Sequence, residues 1–385
     1  MNKIKLALIF GTRPETIKMF PIISEMKKYP EFIDYKILLS GQHREMLDQM
    51  LTAFHIQSDY DLKIMKKDQS LSQIFSKSVN GIEKILTKER PDMVLVQGDT
   101  TTTFSGAVAA FFQKIKIAHI EAGLRTNNKY YPFPEEMNRH LTSVLADLHF
   151  APTEKSCMNL LSEGTSREKI FISGNTVIDA LFSVVKKNYS FKEEALKNKD
   201  LFKNKIILIT MHRRENWGKP LKNICQALIR ILEDNPDASI IFPMHKNPRI
   251  REAVNNILKN KKRMILLDTL DYKDMINLIS KSSIILTDSG GVQEEAPSLG
   301  KPILVLRNET ERPEALAAGV VKLVGTNGDK IVEKVNELLT NKDKYLEMVK
   351  NINPYGDGKA SERIIKKILN HFNLIGQSPI EFKAE

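Results

Sequence analysis

The stretch LALIFGTRPETIKMFPIISEMKK, residues 6–28, decides the fold of this chain. Its first five residues form an apolar run that predicts a buried β-strand, and residues 14–28 show the spacing of apolar side chains that is typical of a helix. The loop between them ends at Pro14, a residue suited to the first position of a helix because its missing N–H is not needed there. The stretch therefore predicts a strand, a short loop and a helix.

The same alternation recurs throughout the chain. Further strand-like runs lie at residues 37–39, 93–96, 115–120, 148–151, 206–209, 240–242, 264–267, 284–286, 303–306 and 320–324. Strands that are apolar along their whole length are typical of parallel sheets covered on both faces. We therefore predict an α/β fold with two doubly wound, Rossmann-like domains.

A charged, lysine-rich segment at residues 186–205 lies between the two sets of strands. We assign residues 1–170 to an N-terminal domain and residues 171–358 to a C-terminal domain. Residues 359–385 form a last helical segment, which we expect to pack back on the N-terminal domain. Ligands of such sheets bind beyond the carboxyl ends of the strands, so we expect the active site in the cleft between the domains.

Composition narrows the class of protein. The 385 residues are 42% apolar and 27% charged, which is typical of a globular chain, and 58 basic against 47 acidic residues give a net charge of +11. We find neither a nucleic-acid recognition motif nor a membrane-spanning run, and His and Cys show no metal-binding spacing. Cys157 and Cys225 predict two reduced thiols in a cytoplasmic protein. We expect no partner of nucleic acid or membrane, and no metal.

Three carboxylates stand at the ends of strands or at the starts of the helices that follow them in the first half. They are Asp99 in QGDTTTT, Glu121 in HIEAGLRT and Glu135 in PFPEEMNR. Each one alone is explained by capping of a helix or by interaction with a helix dipole. Together they predict acid/base chemistry, because carboxylates that share one site shift each other's pKa.

The second half carries groups that favour a diphosphate. The segment TDSGGVQEEAPSLGKP, residues 287–302, places Ser289, Gly290 and Gly291 at the start of a helix, where backbone N–H groups point at an anion. His212 follows the first strand of this half in the run HRREN. Neither a Rossmann glycine fingerprint nor a P-loop is present. We therefore predict a nucleotide-diphosphate site without a dinucleotide cofactor.

These segments together resemble the non-hydrolysing UDP-N-acetylglucosamine 2-epimerase family over nearly the whole chain. The resemblance rests on ten ordered segments: GTRPETIK, GQHREMLDQML, QGDTTTT, HIEAGLRT, PFPEEMNR, GNTVIDAL, HRREN, PMHKNPRIRE, TDSGGVQEEAPSLGKP and TERPEA. It implies a GT-B-like architecture, a homodimer, and interconversion of UDP-GlcNAc and UDP-ManNAc that feeds cell-surface polysaccharide synthesis.

The resemblance also implies roles for single residues. Asp99, Glu121 and Glu135 are implied to transfer protons, with His212 beside the diphosphate. The residues implied to bind the nucleotide-sugar are Arg13, Lys18, Leu270, Met275, Ser289, Gly290, Gly291, Glu295 and Arg312. At the uracil the family usually offers Gln and Phe, where this chain has Leu270 and Met275, so we expect base contacts from the backbone only.

Bacterial members of the family carry a second, regulatory UDP-GlcNAc site. By resemblance we assign to it Gln42, His43, Arg44, Gln69, Arg213 and His245. This chain departs from the pattern at Glu45 and Asp68, where we expect Gln and Arg. Two acids beside a second diphosphate repel it, so we expect weakened activation.

The chemistry explains why such groups are needed. The C2 hydrogen of the sugar has no neighbouring carbonyl, so it is too weakly acidic for simple removal and return. An elimination that expels UDP and leaves a 2-acetamidoglucal needs a cradle for the leaving group and at least two proton-transfer groups. It needs no cofactor. The assignment of base and acid among the three carboxylates stays open.

The sequence is also compatible with other functions. They are a GT-B glycosyltransferase that uses a UDP-sugar, a hydrolysing relative that releases free ManNAc, an epimerase of a UDP-2,3-diacetamido uronic acid, and a non-catalytic sensor of nucleotide-sugars. Turnover of UDP-GlcNAc without an acceptor separates the first from an epimerase, and an assay for free sugar separates the second.

Overall fold

The computed structural model describes residues 3–42, 44–245, 247–310, 312–350 and 352–384. The chain divides into two compact units. The first unit contains the residues up to Ala180 together with Tyr355–Lys383, and the second contains Leu181–Pro354. Within the described residues, we find no helix of the length and apolar character that a bilayer crossing requires.

The first unit is built on one parallel sheet. Its strands are β1 (Ile4–Phe10), β2 (Ile33–Leu39), β3 (Tyr60–Asp61), β4 (Met93–Gln97), β5 (Lys116–Ile120), β6 (Leu148–Ala151) and β7 (Ile170–Ile172). They lie in the order β3-β2-β1-β4-β5-β6-β7, and every pair is parallel. Because β1 and β4 are neighbours although they are not consecutive, the chain crosses the sheet at this point, where open α/β sheets bind ligands.

Helices cover both faces of this sheet. They are α1 (Arg13–Met26), α2 (Glu45–Ala53), α3 (Leu71–Glu89), α4 (Thr101–Phe112), α5 (Glu135–Leu145), α6 (Glu154–Ser162), α7 (Thr176–Val184), which crosses the boundary between the units, and α15 (Ala360–His371). Along β1, Leu8 and Phe10 face one apolar cluster while Ala7 and Ile9 face the other, as the two-residue period of a strand requires. The fully apolar strand of the sequence is thus buried on both sides.

The C-terminal helix α15 belongs to the core of the first unit. It packs on α1, and Ile364, Ile365, Ile368 and Leu369 are fully buried in the same cluster as Leu8. Truncation of one such side chain to Ala costs about 2–5 kcal/mol. The C-terminal helix is therefore a structural part of the sheet that begins at residue 4.

The second unit repeats the plan. Its strands are β8 (Lys205–Thr210), β9 (Ala238–Pro243), β10 (Met264–Leu267), β11 (Ile284–Thr287), β12 (Ile303–Val305) and β13 (Val321–Leu323). Its helices are α8 (Lys219–Asp234), α9 (Pro248–Leu258), α10 (Tyr272–Lys281), α11 (Gly290–Glu295), α12 (Pro313–Ala317), α13 (Gly328–Thr340) and α14 (Lys342–Val349). The parallel order β10-β9-β8-β11-β12-β13 again places strands that are not consecutive side by side at its centre. The predicted α/β class with two doubly wound sheets is confirmed.

Candidate functional site

The loop after β1 is held by a buried carboxylate, Glu15. One of its oxygens accepts hydrogen bonds from the backbone N–H groups of Gly11 and Thr12, at 2.8 and 2.7 Å. The other accepts from the hydroxyls of Thr100 and Thr103, at 2.6 and 3.0 Å. Burial raises the pKa of Glu15, although these hydrogen bonds lower it in part. Glu15 thus ties the loop after β1 to the start of α4.

The same loop is packed tightly against its neighbours. A Cβ added to Gly11 would lie 1.8 Å from the Ser40 hydroxyl, so only glycine fits here. Ser40 shares a 2.7 Å hydrogen bond with Thr102, and the Thr102 hydroxyl also donates to Gln42 Oε1 at 2.8 Å. The loops that follow β1, β2 and β4 therefore form one rigid edge.

Glu121 directly follows β5 and adopts a left-handed backbone conformation, with φ of 63°. Three donors surround its carboxylate. Lys18 Nζ lies 2.5 Å and Asn175 Nδ2 lies 2.9 Å from Oε1, and Gln97 Nε2 lies 2.5 Å from Oε2. The side chain is 7% exposed. These hydrogen-bond donors and the charge of Lys18 favour the ionised form of this carboxyl.

Asp99 lies on the loop between β4 and α4. The N-cap of α4 is Thr100, so Asp99 does not cap the helix. Although 29% of its side chain is exposed, loss of hydration within the surrounding protein raises the pKa of Asp99 to about 6. The positive charge of Arg139, 3.6 Å away, opposes this rise, and the negative charges of Glu121 and Glu135 add to it. Asp99 can therefore hold or release a proton close to neutral pH.

Two buried neighbours fix the edge around Asp99. His119, in β5, is fully buried, and its Nε2 lies 2.7 Å from the carbonyl of Gly98. Burial lowers the pKa of His119 to about 3, so the imidazole is neutral and Nε2 carries its proton. The side chain of Asn138 donates to the backbone carbonyl of Asp99 at 2.9 Å.

Glu135 is the first residue of α5 and is half-buried. The next residue, Glu136, is buried and accepts backbone hydrogen bonds from Thr126 and Asn127 at 2.9–3.1 Å. Burial raises the pKa of Glu136, but these hydrogen bonds and the charge of Arg139 outweigh it, and the net pKa is lowered. Glu136 therefore anchors the loop before α5. Glu135, its neighbour, acts with Glu121 to raise the pKa of Asp99.

Arg13 and Lys18 are the two cations of the first unit assigned to the nucleotide-sugar, and Lys18 belongs to this cluster through its contact with Glu121. Arg13 is the first residue of α1 and is half-buried. The structure thus brings together Lys18, Asp99, Glu121 and Glu135 on the carboxyl edge of one sheet, while Arg13 lies at the start of the helix that carries Lys18.

In the second unit, Asp288 organises the loop that carries His212. Asp288 is fully buried after β11, and it accepts hydrogen bonds from the backbone N–H groups of His212 and Arg213 at 3.0–3.1 Å. His212 Nδ1 also lies 3.1 Å from its carboxylate, while the imidazole stays 44% exposed. Burial raises the pKa of Asp288, but these contacts, His212 first, lower it overall. Asp288 therefore remains charged and orients His212.

Ser289, Gly290 and Gly291 form the start of α11, next in sequence to Asp288. The side chain of Ser289 does not cap this helix. A Cβ added to Gly290 would lie 3.6 Å from the guanidinium of Arg312, so this cation sits beside the helix start. Arg312 also forms an ion pair with the buried Glu294. Backbone N–H groups and a guanidinium together suit a phosphate.

The remaining assigned residues of this unit lie on the same edge. Glu295 ends α11, is 9% exposed and accepts a 3.2 Å hydrogen bond from the Tyr272 hydroxyl. Leu270 precedes α10 and Met275 lies within it, and both are half-buried. Tyr272 therefore links the segment assigned to uracil with the residue assigned to ribose.

The residues assigned to the regulatory site are divided between the two units. Gln42 contacts Thr102, whereas Arg44 forms ion pairs with Asp61 and, at 2.9 Å, with Asp48. Gln69 accepts a hydrogen bond from the backbone of its own loop, at Lys66. Arg213 and His245 belong to the second unit, and His43 lies outside the described residues. The regulatory assignment stays a prediction.

Five residues that received no role from the sequence contact or position the assigned residues of the two units. They are Glu15, Gln97, Arg139, Asn175 and Asp288. Each one stands in or beside a segment that the resemblance already singled out. The available signal was a polar side chain at the end of an apolar strand, as in Gln97 after Val96 and Asp288 after Thr287. Asn175 gave a weaker signal, since its partner Glu121 is 54 residues away.

Known proteins resemble this chain in both sequence and fold. The model of the family described as UDP-N-acetylglucosamine 2-epimerase matches residues 24–369. The UDP-N-acetylglucosamine 2-epimerase of Bacillus subtilis is 49% identical over 385 residues, with both chains fully covered.

Two solved structures extend the likeness to three dimensions. A UDP-N-acetylglucosamine 2-epimerase is 47% identical with a TM-score of 0.92 and full coverage of both chains. The UDP-GlcNAc 2-epimerase of Neisseria meningitidis, solved with bound UDP-GlcNAc, is 48% identical with a TM-score of 0.83, and the match covers 95% of this chain and 100% of the other. These likenesses confirm the predicted GT-B-like class. The chain belongs to the UDP-N-acetylglucosamine 2-epimerase family.

Proposed function

We propose that this protein interconverts UDP-GlcNAc and UDP-ManNAc by inversion at C2 of the sugar. The observation that carries the proposal is the carboxylate cluster of the first unit, where Lys18 contacts Glu121 and the pKa of Asp99 is raised to about 6. An inversion removes a proton from one face of C2 and delivers one to the other face. That exchange needs one carboxyl that accepts a proton and one that supplies it.

The reaction proceeds by elimination and addition. A carboxylate removes the C2 proton, the C1–O bond breaks, and its electron pair leaves with UDP, which gives the 2-acetamidoglucal. UDP then adds back to C1 while C2 is protonated on the opposite face. Before the reaction Asp99 holds an exchangeable proton and the ionised form of Glu121 is favoured beside Lys18, so one carboxyl can supply a proton to C2 while the other accepts one. Glu135 adjusts the charge at Asp99.

The second unit supplies the cradle for the leaving group. His212, Arg312 and the N–H groups of residues 289–291 bind the diphosphate. Glu295 binds ribose, and the segment from Leu270 to Met275 lies against uracil. Groups that bind the developing negative charge on UDP lower the barrier to its departure.

We also propose that the protein is a homodimer. The first unit exposes an apolar surface on α4 and α5, with Phe112 at 60% and Val144 at 81% exposure. Met137, Leu141 and Val144 lie on one face of α5, three or four residues apart. Patches of this kind mark protein interfaces. Light scattering after size exclusion should give twice 43.9 kDa for the wild type, and a smaller mass for Val144→Glu.

The decisive experiment follows the purified protein with UDP-GlcNAc by proton NMR. We expect a UDP-ManNAc anomeric signal without any acceptor, and deuterium at C2 when the reaction runs in D₂O. Turnover that depends on an acceptor would identify a glycosyltransferase, and free ManNAc with UDP would identify a hydrolase. If the protein turned over a UDP-2,3-diacetamido uronic acid but not UDP-GlcNAc, it would be an epimerase of that substrate instead. Product without deuterium would exclude the elimination mechanism.

A further inference from the structure

Asn175 connects three parts of the first unit through its hydrogen bonds. Its side-chain Nδ2 donates to Glu121 Oε1 at 2.9 Å, and its backbone N–H donates to the carbonyl of Tyr355 at 2.7 Å. Its Oδ1 accepts from the backbone N–H of Val177 at 3.0 Å. Asn175 is 4% exposed and lies just before α7.

These contacts settle the orientation of the amide. The N–H of Val177 is only a donor, so it must meet the oxygen of the Asn175 side chain. The amide nitrogen therefore faces Glu121. A neutral N–H donor at a buried carboxylate stabilises its ionised form without adding charge to the site.

The backbone around Asn175 packs against the segment that begins at Tyr355, where the chain enters the first unit again after the second. We call the two segments, residues 174–179 and 355–361, the clasp. Within it, Asp179 accepts hydrogen bonds from the N–H groups of Ala360 and Ser361, at 3.1 and 2.7 Å. A Cβ added to Gly356 would lie 3.4 Å from the nitrogen of Asn175, so the two segments are in close contact. The clasp leaves Asn175 little freedom to move.

We propose that Asn175 is a positioning residue that keeps Glu121 ionised and correctly oriented for proton transfer, and that the clasp holds Asn175 in place. The inference rests on the proposed epimerase function for its kinetic consequence. Its electrostatic consequence, the protonation state of Glu121, is independent of that function. Asn175 acts through Glu121, and nothing in the argument requires it to touch the substrate.

The test replaces the donor by a carboxylate of the same shape, Asn175→Asp. An aspartate still accepts from Val177, but it places a second negative charge beside Glu121, and two neighbouring carboxylates favour protonation of one of them. We expect the acidic limb of the pH profile of kcat to move upward by about one unit or more. A purely structural role would lower kcat equally at all pH values.

A second variant and a control complete the design. Asn175→Ser keeps an acceptor for Val177 but removes the amide donor, and should lower kcat about 10-fold with little change in KM. Ser361→Ala loosens the clasp, so it should move the pH profile in the same direction as Asn175→Asp but by less. Asn235→Ser, at a buried asparagine of the second unit, is the matched control and should keep the wild-type profile. If Asn175→Asp and Asn175→Ser both kept the melting temperature, the kcat and the pH profile of the wild type, the inference would be overturned.

A measurement that does not depend on enzymatic activity separates this inference from the proposed function. In protein labelled with ¹³C at glutamate carboxyls, the Glu121 signal, identified by its loss in Glu121→Gln, should stay at the carboxylate position from pH 5 to 8. In Asn175→Asp the signal should titrate within that range, and an unchanged signal would refute the role of Asn175. If the wild type forms no UDP-ManNAc, the epimerase proposal fails, while this titration still decides the role of Asn175.

Discussion

Lys18 Nζ and Glu121 Oε1 lie 2.5 Å apart, with 16% and 7% of the two side chains exposed. The pair joins the first helix of the chain to the loop after β5, so two distant segments meet at one carboxylate. A charge buried this far is stable only because it is paired and hydrogen-bonded. The carboxylate cluster of the first unit therefore depends on Lys18 as much as on its acids.

The first prediction concerns the two carboxylates. Asp99→Asn and Glu121→Gln should each lower kcat by about 10²–10⁴-fold, because each removes a group that holds or transfers a proton. The measurement is the initial rate of UDP-ManNAc formation. Asp34→Asn, at an exposed carboxylate of β2, is the matched control and should keep full activity. Near-normal rates in both site variants would refute the assignment.

The second prediction concerns stability and pH. The folded protein raises the pKa of Asp99 to about 6 from an ordinary value of 3.8, so its stabilising contribution is complete below about pH 4 and is lost as the pH rises through 6. Asn mimics the protonated form. Asp99→Asn should therefore raise the melting temperature at pH 8, by the equivalent of at most ~3 kcal/mol, and leave it nearly unchanged at pH 4. An equal change at both values would contradict the raised pKa.

The third prediction concerns the tight edge of the first sheet. Gly11→Ala introduces a Cβ 1.8 Å from the Ser40 hydroxyl and should destabilise the protein by about 1–3 kcal/mol. Ser40→Gly removes that hydroxyl. In the double variant the total loss of stability should be smaller than the sum of the two single losses, because the clash with Ser40 disappears. Thermal unfolding of all four proteins measures the coupling, and simple additivity would show that the loops adjust independently.

The fourth prediction concerns Asp288. Asp288→Asn removes the charge that orients His212, so kcat/KM for UDP-GlcNAc should fall by about 10–10²-fold. Asp329→Asn changes an exposed carboxylate of the same unit, paired with Arg230, and serves as the control. Equal kinetics in the two variants would mean that the orientation of His212 does not matter for the reaction.

The fifth prediction concerns regulation. Arg44 is already engaged by Asp48 and Asp61, and Glu45 adds a further acid next to it in sequence. We expect added UDP-GlcNAc to activate UDP-ManNAc turnover only weakly. Replacing both acids by the residues expected in the family, in Glu45→Gln/Asp68→Arg, should strengthen the activation. Strong activation of the wild type, equal to that of relatives with the usual residues, would rule out the weakened site.

The sequence allowed the fold class and the strand-end loops to be predicted because both depend on local patterns. Apolar runs such as residues 6–10 have no solvated face, which identifies a buried parallel strand without knowledge of its partners. Asp99, Glu121 and Glu135 were predicted as a group, since acids that follow neighbouring parallel strands meet at one edge of the sheet, although each one alone has a structural explanation.

The supporting contacts could not be predicted because they join residues far apart in the chain. Nothing local to Asn175 indicates Glu121, and nothing local to Asp288 indicates His212, 76 residues earlier. The raised pKa of Asp99 likewise depends on Arg139 and on burial, which only the folded chain defines. Local patterns predicted the candidate acid/base groups, and tertiary contacts determine the environment that sets their charge states.

The buried helix α15 has a consequence for synthesis on the ribosome. The first unit lacks Ile364, Ile365, Ile368 and Leu369 until translation has passed the entire second unit. The ribosome releases the N-terminus first, so the second unit can reach its native state before α15 has been made. Until then, part of the apolar face of the sheet that begins at Ile4 stays uncovered. During that interval the earliest-made part of the protein is the part most exposed to aggregation, and chaperone demand should concentrate there.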